Sequence, residues 1–100
     1  MFIAMNRFKI VNGKEKIFED IWINRDSNLI NVKGFIEFHL IRGAKHKDHT
    51  LYASHSKWET EEDFVKWTRS DSFRHAHKNA GAQKDIYLGH PIFEGFKIVI

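Results

Sequence analysis

Residues 2–11, FIAMNRFKIV, alternate as a pleated strand with one covered face must: Phe2, Ala4, Asn6, Phe8 and Ile10 fall on one side, and Ile3, Met5, Arg7, Lys9 and Val11 on the other. The first set is apolar except for Asn6, so the strand has to lie beneath other elements with a single amide on its covered face. After Asn12-Gly13 the period changes. Ile17, Phe18, Ile21, Trp22 and Arg25 share one helical stripe, which predicts a helix over roughly residues 14–25. Following Gly34, the runs FIEFHLIRG (35–43) and TLYASHSKW (50–58) are rich in β-compatible residues and joined by the loop AKHKDH, which predicts a hairpin.

Thr60, followed by Glu61, Glu62 and Asp63, has the chemistry of a helix N-cap with acids in the first turn, and Phe64, Trp67 and Thr68 continue one face. Ser70-Asp71-Ser72 can cap a fresh helical segment, so the second helix is predicted to break and restart, with Phe73, Ala76, His77 and Ala80 on the new stripe and Gly81 closing it. The last run, PIFEGFKIVI (91–100), reads as a strand with Pro91 at its start, where a missing donor costs little. The order is β-α-β-β-α-β. It predicts one α+β domain over residues 1–100, a ferredoxin-like antiparallel sheet with both helices on one face.

Composition narrows what such a domain can do. The chain has no cysteine, which removes disulfides, thiolate metal sites and a cysteine nucleophile and makes the cytoplasm the expected compartment. MFIAMNRFKIV lacks the basic start and apolar core of an export signal, and no apolar run reaches the length of a membrane span, so a soluble protein is expected. The net charge of +3 is spread among 13 acids rather than gathered on one segment, which favours a solvated surface over a nucleic-acid partner. Nine Phe and three Trp are a heavy aromatic load for 100 residues, and some of these rings are expected to line a pocket or a subunit interface.

WTRSDSFRHAHKNA (67–80) holds two histidines that cannot serve one ligand, because positions 75 and 77 of a helix point about 200° apart. His77 follows Phe73 by four residues and falls on the covered stripe, whereas His75 projects to solvent beside Arg74 and Lys78. A lone histidine on such a stripe is usually a hydrogen-bonded core residue. Here Asn6 and Trp67 belong to the same covered layer, and small Ala76 and Ala80 flank His77. An apolar slot with one imidazole, one amide and one indole suits a large flat ligand.

MNRF near the N-terminus, GF at 34–35 and W-x-x-S-D-x-F-x-x-A-H at 67–77 resemble the IsdG-type heme-degrading monooxygenases, within the antibiotic biosynthesis monooxygenase superfamily of dimeric α+β barrels. The tail LGHPIFEGFKIV is similar to a rhizobial-type branch of these heme oxygenases. The resemblance implies a homodimer packed sheet to sheet, with heme between sheet and helices serving as substrate and cofactor. Heme would be consumed with dioxygen and electrons from an external redox partner to give an open tetrapyrrole and free iron. It further implies that His77 is the axial iron ligand, that Trp67 presses the porphyrin out of plane, and that Asn6 hydrogen-bonds the distal ligand. Trp22, Phe64 and Phe73 would border the heme and Arg25 would meet a propionate, although at helical spacing residues such as Trp22 and Phe64 are more often plain core.

Other classes are weighed on the same residues. A cofactor-free oxygenase of quinols or polyketides shares the superfamily and needs no imidazole on iron, and a heme carrier or sensor would bind heme without turnover. An RNA-recognition module shares the strand order, yet TLYASHSKW lacks its basic, Gly-rich aromatic consensus. His46 and His49, with Asp48 between them, could hold zinc, but two surface histidines are ordinarily just solvated. Neither the phosphate-loop pattern nor the dinucleotide fingerprint is present.

Overall fold

A computed structural model describes residues 1–25, 29–71, 73–74 and 84–100. Strands β1 (Phe2–Val11), β2 (Phe35–Lys45), β3 (His49–Trp58) and β4 (Ile92–Lys97) form one sheet in the order β2-β3-β1-β4, with every pairing antiparallel. Helices α1 (Glu15–Ile23) and α2 (Glu61–Thr68) pack against the same face of that sheet, α1 through buried Phe18 and α2 through half-buried Phe64 and Trp67. The β-α-β-β-α-β order and the ferredoxin-like arrangement are therefore those the sequence predicts. No helix among the described residues is long and apolar enough to cross a membrane.

Several boundaries differ from the sequence reading, each for a local reason. Helix α1 stops at Ile23 because Asn24 turns back on it: both its backbone N–H (3.0 Å) and its side-chain amide (2.9 Å) donate to the Asp20 carbonyl. Arg25 therefore lies beyond the helix. Strands β2 and β3 run further into their loop than expected, and the hairpin is closed by the His46 N–H donating to the His49 carbonyl at 2.7 Å. The Asn12 amide latches that loop to the β1–α1 turn by donating to the carbonyls of His46 and Lys47 at 3.2 and 2.9 Å. Strand β4 ends at Lys97, which pairs with Phe2, and the Ile98 N–H reaches the Met1 carbonyl at 2.9 Å.

Thr60 caps α2 as predicted, its hydroxyl accepting from the Asp63 N–H at 3.1 Å. The break in the second helix is present as well. Ser70 donates its hydroxyl to the Trp67 carbonyl at 2.6 Å, closing the first segment, and accepts from the Phe73 N–H at 3.1 Å, opening the next.

The interior is divided. Phe8, Ile10, Phe18, Tyr52 and Ile86 form one buried cluster beneath α1, and Phe2, Ala4, Leu29 and Trp58 form another beneath α2. At the flank of the first cluster the Tyr52 hydroxyl donates to Glu19, whose carboxylate also lies 3.4 Å from Arg42. Burial and that hydrogen bond push the Tyr52 phenol up to about 12. The opposite face of the sheet is open and mixed in character, with Arg7 paired to Glu94 at 3.4 Å, and Glu37 3.0 Å from His39 and 3.9 Å from Lys57.

Candidate functional site

The two clusters are separate because the residues between them on the sheet are small or polar. Along β1 the covered face reads Ala4 and Asn6 between Phe2 and Phe8, and along β3 it reads Ser54 and Ser56 between Tyr52 and Trp58. The register sets these residues side by side, Asn6 opposite Ser54 and Ala4 opposite Ser56. Four short side chains in a block give the sheet a low, partly polar floor where a close-packed core would carry large apolar groups. Above that floor is a cavity of about 850 Å³, within the range of small-molecule sites.

Two tryptophans wall it. Trp22, from α1, stacks on Phe38 of β2 with ring centroids 5.5 Å apart and planes 17° from parallel. Trp67, from α2, is held by three aromatic neighbours: Trp58 at 5.6 Å, Phe64 at 6.2 Å, and Phe73 edge-on at 4.8 Å. Such pairs fix ring orientation beyond what burial alone achieves. The Trp22 indole N–H is buried and donates to no group among the described residues, a donor that a ligand or water could satisfy.

At the Trp22 end the Arg25 guanidinium lies 4.0 Å from the indole centroid, a cation–π contact. It is partly buried, which lowers its pKa, and no carboxylate among the described residues forms an ion pair with it. Tyr87 is the neighbouring titratable group, its phenol pushed up by burial and drawn partly back by Arg25. A cation held half out of water beside an apolar cavity calls for an anionic partner.

The structure thus brings together Asn6, Trp22, Arg25, Phe64, Trp67 and Phe73 around one cavity. For Trp22 and Phe64 the two readings both hold, since each packs against a core cluster and also faces the cavity. His77 and His75 lie outside the described residues. His46 and His49 stack on each other at 4.6 Å with Asp48 bound to His49 at 2.7 Å, and no set of three ligating side chains among the described residues could hold a metal ion.

The sequence pattern of the antibiotic biosynthesis monooxygenases matches residues 1–79. The chain belongs to the antibiotic biosynthesis monooxygenase family. Among relatives of this family member, a heme-degrading monooxygenase of Shouchella clausii is 38% identical over 60 residues, which are 60% of this chain and 56% of the relative. A staphylobilin-producing heme oxygenase of Staphylococcus epidermidis is 36% identical over 85% of this chain and 81% of its own length. Among solved structures, the heme-degrader MhuD of Mycobacterium tuberculosis, with two hemes bound in its active site, superposes with a TM-score of 0.75 over 100% of this chain and 97% of that one. Its 22% identity makes that a likeness of fold.

Sequence reasoning missed several cavity residues of this monooxygenase-family chain: Ser54, Ser56, Leu29, Tyr87 and His90. The two serines carried a readable signal, because they interrupt the covered face of β3 just as Asn6 interrupts that of β1. Leu29, Tyr87 and His90 had none, since each reaches the cavity from outside the main helices and strands.

Proposed function

We propose that this chain is a heme-degrading monooxygenase that receives heme in the cavity between sheet and helices and opens the porphyrin with dioxygen and electrons from an external reductase in the cytoplasm. The observation that carries the reading is the divided core: an aromatic-walled cavity over a short polar floor, with one partly buried guanidinium that forms no ion pair with a carboxylate among the described residues. Those features suit an amphiphile that is planar and apolar over most of its area and anionic at one edge. The family membership and the heme-degrading relatives support the same reading.

Heme, when bound, supplies the iron centre at which dioxygen is reduced and is itself the molecule oxidised. Each residue then has a limited task. Asn6 offers an amide donor and acceptor from the floor, close to the middle of the cavity. Trp67 cannot yield easily to a ring pressed against it, because three aromatic neighbours brace it. His77 would hold the heme iron through its imidazole, a role resting on the Trp67-to-His77 sequence motif and on the helical stripe that the sequence assigns to it with Phe73.

Purified protein mixed with hemin, a reductant and catalase should show a Soret band that decays into linear-tetrapyrrole absorbance, and His77→Ala should slow that decay at least 100-fold, as expected for loss of a metal ligand. A Soret band that persists under reductant and oxygen would make the protein a carrier or sensor. No Soret complex at all would favour the cofactor-free oxygenase.

The open sheet face is proposed to meet a second copy. Ile41, Ile92 and Phe96 are exposed there, and Ile98, Val99 and Ile100 are exposed as well. Sedimentation at micromolar concentration should show a dimer, and a monomer that still degrades heme would remove the dimer from the mechanism.

A further inference from the structure

We infer that His90 is a ligand-binding residue, raised to the cavity by a bulge in the sheet edge and forming with Arg25 and Tyr87 the end that recognises carboxylates. The inference rests on the heme reading above and concerns how the ligand is oriented.

The bulge follows from register. Tyr87 pairs with Ile10 in an isolated antiparallel bridge, and Leu88 donates its N–H to the Lys9 carbonyl at 2.8 Å. The next pairing on this edge is Ile92 with Arg7. Between these anchor pairs β1 advances three residues, from 10 to 7, while the other side advances five, from 87 to 92, so two residues must leave the ladder. The local sequence is suited to that. Gly89 has φ +86°, in the left-handed region, and a Cβ there would meet nothing within 4 Å, so glycine is needed for its backbone and not for space. Pro91 has no N–H to leave unpaired. His90 sits between them and lines the cavity together with Arg25 and Tyr87. Bulges of this kind commonly re-aim a side chain at a site.

The three residues suit one ligand chemistry. A guanidinium forks two carboxylate oxygens, and a phenol and an imidazole each add a donor. Among the other described residues the cavity is walled chiefly by rings and floored by Asn6, Ser54 and Ser56, so these residues offer a ligand with carboxylates along one edge one end at which to place them. That choice fixes the rotation of the ring above Asn6, and His90 is in this sense a specificity-determining residue.

The test compares hemin with its dimethyl ester, which lacks the free carboxylates, by tryptophan fluorescence quenching in wild type, His90→Ala, His90→Gln and Arg25→Ala. Wild type should bind hemin more tightly than the ester. His90→Ala should weaken hemin roughly tenfold, the worth of one charge-assisted hydrogen bond, and leave the ester unchanged. His90→Gln, which keeps a donor, should recover part of the loss. Equal losses for hemin and ester in His90→Ala, or no loss for either, would overturn the assignment while leaving heme binding intact. Failure of wild type to bind either porphyrin would overturn the heme reading and this subsite with it.

Discussion

Ser54→Leu should abolish hemin binding, with an affinity loss of at least about 100-fold, while making the protein harder to unfold. The serine is 7% exposed and lies on the cavity floor opposite Asn6. A leucine there would project into the cavity that the described residues leave open, joining the two buried clusters with apolar contact. Cavity-filling changes of this type typically add about 1 kcal/mol, and the same atoms would stand where a planar ligand has to lie. Ser54→Ala is the control, removing the hydroxyl without filling the space, and should change hemin affinity by less than about threefold, in line with the small net worth of a neutral hydrogen bond. Hemin titration and urea unfolding of both variants check the pair of effects. Retention of wild-type affinity in Ser54→Leu would place the ligand away from the sheet floor.

Gly34→Ala should be the most damaging small substitution in the described chain. Gly34 has φ +84°, and a Cβ there would lie 2.5 Å from both Cβ and Cγ of Asp63 and nearer still to its Oδ2. Asp63 is itself buried in the capped first turn of α2, and the Gly34 carbonyl accepts from the Glu59 N–H at 2.8 Å. Neither side can withdraw without undoing a cap or a strand end. Left-handed strain and the overlap together should cost about 3 kcal/mol, which for a domain of this size lowers Tm by roughly 12–24 °C. Thermal melts measure this directly. A fall below about 4 °C, the equivalent of less than 1 kcal/mol, would mean that α2 can shift away from β2 without loss.

Period was the strongest signal in the sequence. The alternation of β1, the stripe of α1, the Thr60 cap and the Ser70 break all appear where residue chemistry placed them, because each is decided by neighbours a few positions apart. Asn6 was legible for the same reason, as a polar residue on an otherwise apolar face. The end of β4 was not, since Ile98, Val99 and Ile100 are as strand-compatible as the residues before them, while the ladder with β1 ends at the Phe2–Lys97 pair. His90 was hidden by the same kind of long-range fact: a two-residue slip between strands far apart in sequence leaves no mark on either one alone. Arg25 was placed on the α1 stripe, and it faces the cavity from one residue beyond the cap that ends the helix.

The division of the interior also bears on how the molecule answers to its ligand over time. The two buried clusters share one sheet and are bridged at the Trp22–Phe38 stack, and amide exchange should distinguish an α1 half from an α2 half. A ring seated between them would act as a keystone, coupling the halves and adding its binding free energy to their stability. Cleaving that ring turns a rigid plane into a flexible chain. Under the proposed activity, opening the ring would loosen the halves as the reaction finishes, and turnover itself would unlock the protein for release of the product.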